Sequence, residues 1–495
     1  MIISAFWLQN PDYWIATNKA KQALVDKIIY DKFYTYDYAN EDRLGIIIYL
    51  DQFYRHFSRI NSNITESLIL ENRINACNLV EDMDPRTLLS KPEDELIWYL
   101  MPWKHLQIWK PIFNLLDLMQ QKQQKPLDHL LSRFFMDTYK KAYTDDTVKS
   151  NLIRSQGSEP FDPNVCENNP PTWLTDHDVD PLLMNQLKQF TKVTVSLSGG
   201  VDSMLLSALL KRQGVDVVAV HIVYGNRTES EDERAFIASY CDQLQIPLYV
   251  YKIAHLRRQT VDRAFYESMT RDLRFAAYKA LDRPVILGHI QEDVIENIWT
   301  NLAKGTHLDN LAALTNMTVE SGVTVFRPWL SIKKDLIYET AHRLNIPYLK
   351  NTTPSWSNRG KFRTTFHQAA KQQYGPNVDD VMLQVAERYK KQASILDKLL
   401  YQAISNSYDP ENNTIDVTQA INVGLDADGW LRIFTDLAHN KLNKSMPTYK
   451  SCAEFVRRLQ KDATHNQVIH LKKDLSARLI KINSIILLKF DNPNP

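Results

Sequence analysis

The stretch Ser196-Leu197-Ser198-Gly199-Gly200-Val201-Asp202-Ser203 limits what this chain can fold into more than any other. A β-branched run, Val193-Thr194-Val195, leads into it, and the glycine-free apolar segment from Met204 to Leu210 leads out. A strand that stops at paired glycines and restarts as a helix gathers free backbone N–H groups and the positive end of a helix dipole around one concavity. That is an anion site. Ser198 and Ser203 add hydroxyl donors, and Asp202 adds a carboxylate that repels phosphate unless a divalent cation lies between them. The loop therefore reads as a Mg-nucleotide site, with Ser198, Gly199, Gly200, Val201, Asp202 and Ser203 on the nucleotide and Asp202 on the metal. It lacks the lysine of the common mononucleotide loop. A tight strand-to-helix turn without a ligand is the plainer alternative.

Around this loop the predicted strands are 193–197, 215–223, 248–253 and 285–287, with helices near 201–212, 230–244 and 259–281 between them. Such alternation predicts a doubly wound α/β domain with a parallel sheet, and ligands in these sheets bind at the carboxyl ends of the strands. A second constellation, Gly288-His289-Ile290-Gln291-Glu292-Asp293-Val294-Ile295-Glu296-Asn297, begins where the last of these strands stops. Read as a helix, it puts His289, Asp293 and Glu296 on one face and Val294, Ile295 and Ile298 on the other. Two carboxylates and an imidazole suit Mg²⁺, or a cationic amine that is gripped and deprotonated. A solvated acidic helix start is the alternative. Glu267, Arg271 and Arg274 share another helical face; a Glu267–Arg271 salt bridge leaves Arg274 for a phosphate or RNA contact.

Ser-Gly-Gly-Val-Asp-Ser resembles the pyrophosphate loop of the ATP pyrophosphatase superfamily, whose members cleave ATP between the α- and β-phosphates. The order of that loop, His221…Gly225-x-Arg227, Glu267…Arg271…Arg274-Phe275, Gly288-His289…Asp293…Glu296, Gly305-Thr306…Leu311, Phe326-Arg327-Pro328-Trp329-Leu330 and Arg359-Gly360-Lys361-Phe362-Arg363 is similar to that of the tRNA(Ile)-lysidine synthetases. The resemblance covers about residues 185–490. It implies a ligase that uses ATP and Mg²⁺ to adenylate C2 of the wobble cytidine of an isoleucine tRNA with a CAU anticodon, and then attaches lysine. It further implies catalytic roles for Asp202, His289, Asp293 and Glu296, lysine binding by Asp293 and Glu296, and tRNA contacts by Arg271, Arg274, Arg327, Arg359 and Arg363. Glu292 stands where the family has aspartate, Asn297 where it has threonine, and Asn351-Thr352-Thr353-Pro354 replaces its Asp-x-Ser/Thr-Asn. A tRNA thiolase of the same superfamily, and a binding protein with a vestigial ATP site, are the rival readings. Thiolases often use paired cysteines, whereas Cys77, Cys166, Cys241 and Cys452 lie far apart.

Before residue 150 the chain has helical periodicity and many aromatics, predicting an all-helical domain. Its blocks Leu50-Asp51-Gln52-Phe53-Tyr54-Arg55 and Met101-Pro102-Trp103-Lys104-His105, with Phe6, Trp7 and Trp14, resemble a bacterial all-helical family of unknown function and tetratricopeptide-like fold. Asp51, Arg55 and His105 are expected to form a buried polar network or to line a ligand pocket, and Pro102 to end or kink its helix. Residues 151–184, with Pro160, Pro163, Pro170 and Pro171, read as a linker. The α/β domain is expected at 185–374 and a helical, then α+β, tRNA-binding region at 375–495. That last region is predicted to hold a helix pair at 376–403, helices at 431–442 and 449–459, and short strands. Lys441, Lys444, Lys450, Arg457, Arg458, Lys461, Lys472 and Lys473, interleaved with Tyr449 and Phe455, read either as an RNA patch or as solubilising charge.

With 59 basic and 58 acidic residues the whole chain advertises no polyanion partner, so any RNA surface is local. No secretory signal or membrane-spanning run is apparent, and a cytoplasmic location is expected; self-association is left open.

Overall fold

The computed structural model describes residues 2–11, 19–122, 127, 129–167, 178–225, 229–257, 261–306, 310–349, 357–460, 468–472 and 475–490. Trp14, Pro170, Pro171, Arg227, Asn351 to Pro354, Lys461 and Lys473 lie outside the described residues. The chain forms two compact units, one of residues 1–291 with 315–354, the other of residues 292–314 with 355–495.

The first unit is built on a seven-stranded sheet. In chain order its strands and those of a small accessory pair are β1 (Ile153–Arg154), β2 (Cys166–Glu167), β3 (Lys192–Ser196), β4 (Asp216–Val223), β5 (Leu248–Lys252), β6 (Val285–Ile286), β7 (Met317–Glu320), β8 (Val323–Phe326) and β9 (Tyr348–Leu349). The order across the large sheet is β1-β5-β4-β3-β6-β8-β7, and β2 pairs with β9 separately. From β5 to β8 every pairing is parallel, while β1 and β7 add antiparallel edges. The β-branched runs predicted as strands are those observed, because a strand covered on both faces needs Val and Ile on both sides. Chain order reverses direction between β3 and β6. This is the topological switch point of a doubly wound sheet, where such folds bind ligands.

One face of the sheet packs against helices Val201–Arg212, Ser230–Gln243 and Lys334–Arg343. The other face, with Val220, Ile222 and Tyr251, shares a core with helix Arg263–Ala280 and with the N-terminal helices. Those N-terminal helices run from Ile2–Gln9 to Asp145–Ser150 around Trp7, Phe33, Phe53 and Phe57, all essentially buried. The helix Glu93–His105 runs through Pro102 for three further residues instead of stopping there, and caps off at Leu106. The junction with the sheet is specific. The Tyr143 hydroxyl donates to the Ala254 carbonyl at 2.7 Å and that of Tyr139 donates to the His255 carbonyl. The Phe113 ring stacks on the His255 imidazole with centroids 5.1 Å apart, and Asp117 Oδ2 lies 2.7 Å from its Nδ1.

In the second unit, helix Val378–Leu396 passes through a wide turn, Asp397–Tyr401, into Gln402–Asn406. The expected helix pair is thus one continuous rod, since no glycine or proline interrupts residues 378–406. Strands β10 (Thr414–Asp416), β11 (Val468–Lys472), β12 (Leu475–Ile482) and β13 (Ile485–Phe490) form an antiparallel sheet in the order β10-β13-β12-β11. Its core contains Trp430, Phe434 and Phe455, with Phe455 fully buried. Phe455 is therefore a core residue and offers no stacking surface to RNA. Among the described residues no helix is long and apolar enough to cross a membrane.

Candidate functional site

The loop after β3 has the predicted strand-to-helix form. Gly199 has φ +81°, and a Cβ there would lie 2.2 Å from Leu349 Cδ1, so only glycine fits. The Leu349 amide donates to the Gly199 carbonyl at 2.8 Å, which ties the turn to β9. Gly200 is the N-cap of helix Val201–Arg212 and supplies no side-chain cap, leaving the first-turn amides for an anion. Ser203 Oγ, 3.0 Å from the Gly200 carbonyl, also accepts from the Ser198 amide at 3.2 Å and lies 3.1 Å from Ser198 Oγ. These bonds brace the loop from inside.

Neighbouring strands hold it from both sides. His221 on β4 is buried, with Nδ1 2.8 Å from the Leu197 carbonyl. Tyr278 bonds Ser196 at 2.6 Å, and burial pushes its phenol up to about 12, so it remains a donor at neutral pH. After β6, a Cβ on Gly288 would come within 3.1 Å of the Ser203 amide, which explains a glycine at the second crossing of the switch point. His289 follows, half-buried, two residues before helix Gln291–Ala303 begins. It therefore does not share a helical face with Asp293 and Glu296, because the helix begins only at Gln291.

Asp202 is paired with Lys334, whose Nζ lies 2.8 Å from Oδ1 and 2.7 Å from Oδ2. Lys334 opens helix Lys334–Arg343, and sequence reasoning missed it. Its only local signal is the doublet Lys333-Lys334 ahead of an amphipathic run, and nothing in that doublet points to a residue so distant in the chain.

In the second unit, Asp293 and Glu296 form a separate cation-holding cluster. Both side chains are largely buried, at 7% and 12% exposure. Asp293 Oδ1 accepts from Arg359 Nη2 at 3.0 Å and from Arg363 Nη2 at 2.9 Å, while Glu296 Oε1 accepts from Arg359 Nε at 3.0 Å. The arginines are the outer layer, being 51% and 38% exposed. Phe366, just beyond them, packs edge-on against Trp299 at 5.0 Å.

A PP-loop domain model matches residues 175–365. A tRNA(Ile)-lysidine synthase from Chlamydia muridarum is 30% identical over 241 residues, covering 46% of this chain and 73% of that protein. The chain belongs to the tRNA(Ile)-lysidine synthase family. A second member, from Chlamydia trachomatis serovar L2, is 29% identical over 41% of this chain and 64% of its own length. One from Nitrosomonas europaea is 34% identical over 35% of this chain and 40% of its own length. A U34-tRNA thiolase structure from Methanococcus maripaludis overlaps 42% of this chain and 77% of its own, with 17% identity and a TM-score of 0.36.

Of the five arginines that the family resemblance points towards tRNA, Arg271, Arg359 and Arg363 keep a third to a half or more of the side chain exposed. Arg327 does not. It is buried, bonded to Glu320 at 2.9 Å and to Thr318 at 2.9 Å, and serves the β7–β8 hairpin. Burial opposes ionisation of Glu320, but Arg327 and Arg271 outweigh it and hold the carboxyl below its usual range. Arg271 pairs with Glu320 and Glu267 with Arg263, so the expected Glu267–Arg271 bridge is replaced by one to each side. Burial opposes the Arg274 charge, but the phenols of Tyr278 and of Tyr224, just after β4, outweigh it and raise its pKa. In the tail, Arg457 and Arg458 both pair with Glu454, which neutralises part of the basic patch.

Proposed function

We propose that this protein is an ATP-dependent ligase that joins lysine to C2 of a tRNA wobble cytidine. Two buried carboxylates, Asp293 and Glu296, already hold two guanidinium groups, and this built cation site carries the reading. An ordinary nucleotide-binding domain has no use for it, whereas a ligase that takes a cationic amino acid does.

The loop amides after Gly200, with Ser198 and Ser203, would bind the β- and γ-phosphates of ATP. Asp202 is the carboxylate available there for Mg²⁺, which commonly binds through one carboxylate and the phosphates of its nucleotide. Such an ion would neutralise the charge that builds on the leaving pyrophosphate. Lys334 holds Asp202 in place and adds a second positive charge beside the loop.

In the first step the C2 oxygen of cytidine bonds to the α-phosphorus of ATP and pyrophosphate departs. The C2–O bond is thereby converted from part of a carbonyl into a link to a good leaving group. In the second step a lysine amine bonds to C2, AMP leaves with that oxygen, and the amine loses a proton. The protein contributes mainly positioning and fixed charge. The substrate ammonium is assigned to Asp293 and Glu296, where it shares or displaces the Arg359 and Arg363 contacts. His289, beside Gly288 and the loop, is assigned to orienting the nucleotide. The test is multiple-turnover pyrophosphate release from ATP with bulk tRNA, with and without lysine: dependence of sustained release on both substrates supports the reading, and release without tRNA contradicts it.

A further inference from the structure

The N-terminal helices contain two buried polar networks that differ in charge balance. In one, Asp26 accepts from Arg59 Nη1 at 2.8 Å and from Gln22 at 2.7 Å, and lies 2.7 Å from His56 Nδ1. One carboxylate meets one guanidinium, and the network closes on itself.

The other network does not close. Asp51 is 1% exposed and sits in a widened helical turn, Tyr49–Phe53. Such turns interrupt regular helices and are frequent at functional sites. Arg73 Nε donates to Asp51 Oδ1 at 3.1 Å, Gln52 donates to Oδ2, and His105 Nδ1 lies 2.9 Å from both oxygens. On the far side of the ring, Arg55 Nη1 is 3.1 Å from His105 Nε2. Arginine has only donors, so Nε2 is the acceptor and the Nδ1–H points at Asp51; the imidazole is neutral. Among the described residues Arg55 has no carboxylate partner, and Arg73 has only Asp51. Among the described residues, two guanidinium groups therefore share the Asp51 carboxylate. Burial, reinforced by Arg73 and Arg59 and opposed by Asp51, lowers the Arg55 pKa. A half-buried guanidinium that shares its one carboxylate with a second arginine is under-compensated, and its remaining donors form a planar fork suited to two oxygens of one anion.

We infer that Arg55 and Arg73, oriented by Asp51 and His105, form a binding site for a small oxyanion, a phosphate or carboxylate group carried by a diffusible molecule. The site is independent of the ATP loop and of the ligase reading.

Imidazole NMR of the full chain at pH 7.5 tests this, with His105 and His56 assigned through His105→Gln and His56→Gln variants. Inorganic phosphate and succinate serve as separate probes for the two oxyanion chemistries. A saturable shift of the His105 signals with either anion, while those of His56 stay in place, is the expected result; the anion that saturates at the lower concentration identifies the class. Arg55→Met should weaken the response at least tenfold. If that variant loses the native His56 signals, Arg73→Met replaces it with the same expectation. No His105 response to either anion, or an equal response in the arginine variant, overturns the proposal.

Discussion

Lys334 Nζ reaches both carboxylate oxygens of Asp202, at 2.8 and 2.7 Å, although the two residues are 132 positions apart. The loop carboxylate is therefore oriented by a lysine delivered from the helix after β8. If the pair works as one unit, Lys334→Gln should lower tRNA-dependent pyrophosphate release about a hundredfold, the scale of one lost electrostatic contact in a catalytic site. Asp202→Asn should do at least as much. Adding Lys334→Gln to Asp202→Asn should cost little more, and fully additive losses in that double-mutant cycle would show that the residues act separately.

Asp293→Asn leaves the ATP loop intact and removes one charge from the cation cluster. A single turnover of pyrophosphate release in the presence of tRNA should persist, while lysine transfer falls about thirtyfold or more, as when one partner of a buried charge pair is removed. Titrating lysine separates the effects, since the variant should show a raised KM for lysine and an unchanged KM for ATP. Loss of the ATP step alone would move Asp293 from the amine to the metal.

Gly199→Ala places a methyl group on Leu349 and forces a left-handed conformation on a residue with a Cβ. The strain is about 1–3 kcal/mol. Activity should be lost through weakened ATP binding while helix content, read by circular dichroism, is retained. Shortening the obstacle with Leu349→Ala should recover part of the binding.

Arg327→Met distinguishes a structural arginine from an RNA contact. Removing it leaves Glu320 to Arg271 alone and should destabilise the fold by about 2–3 kcal/mol in urea melts. The salt dependence of tRNA affinity should not change, whereas the loss of a phosphate contact would reduce the slope by about one.

The buried His56 supplies a pH signature. Burial, with Arg59 and Arg55, lowers its pKa against the opposing pull of Asp26, so the folded protein protonates this ring later than the unfolded chain does. Its contribution to stability is complete above about pH 6.5, the unfolded value, and declines as pH falls through 6.5 towards the folded value. Urea midpoints measured from pH 7.5 to 5 should fall less steeply in His56→Gln than in the natural sequence.

The parallel strands, the loop and the helix Val201–Arg212 were legible because local chemistry determines them: β-branched runs, paired glycines and an uninterrupted apolar helix. Asp293 and Glu296 were legible as a pair for the same reason, since helical spacing is a local rule. His289 was not, because helical spacing applies only within a helix and this one begins at Gln291. Arg327 and Phe455 look like RNA ligands in one dimension, but burial depends on partners, Glu320 for one and Trp430 with Phe434 for the other, that lie on other elements. Lys334 was invisible for the converse reason: an ordinary helix-start lysine acquires a role only when the sheet brings it to Asp202. The contacts of Phe113, Tyr139 and Tyr143 with the segment at Ala254 and His255 are likewise tertiary, and periodicity predicts only that these aromatics are buried.

The proposed ligase attaches lysine covalently to tRNA. Bulk tRNA incubated with the protein, ATP and lysine, then digested to nucleosides and analysed by mass spectrometry, tests it most directly. The expected result is a new nucleoside whose mass is cytidine plus lysine less one water, absent when lysine is omitted and absent with Asp202→Asn. A thiolated pyrimidine in its place, or unmodified cytidine with ATP consumed, would contradict it.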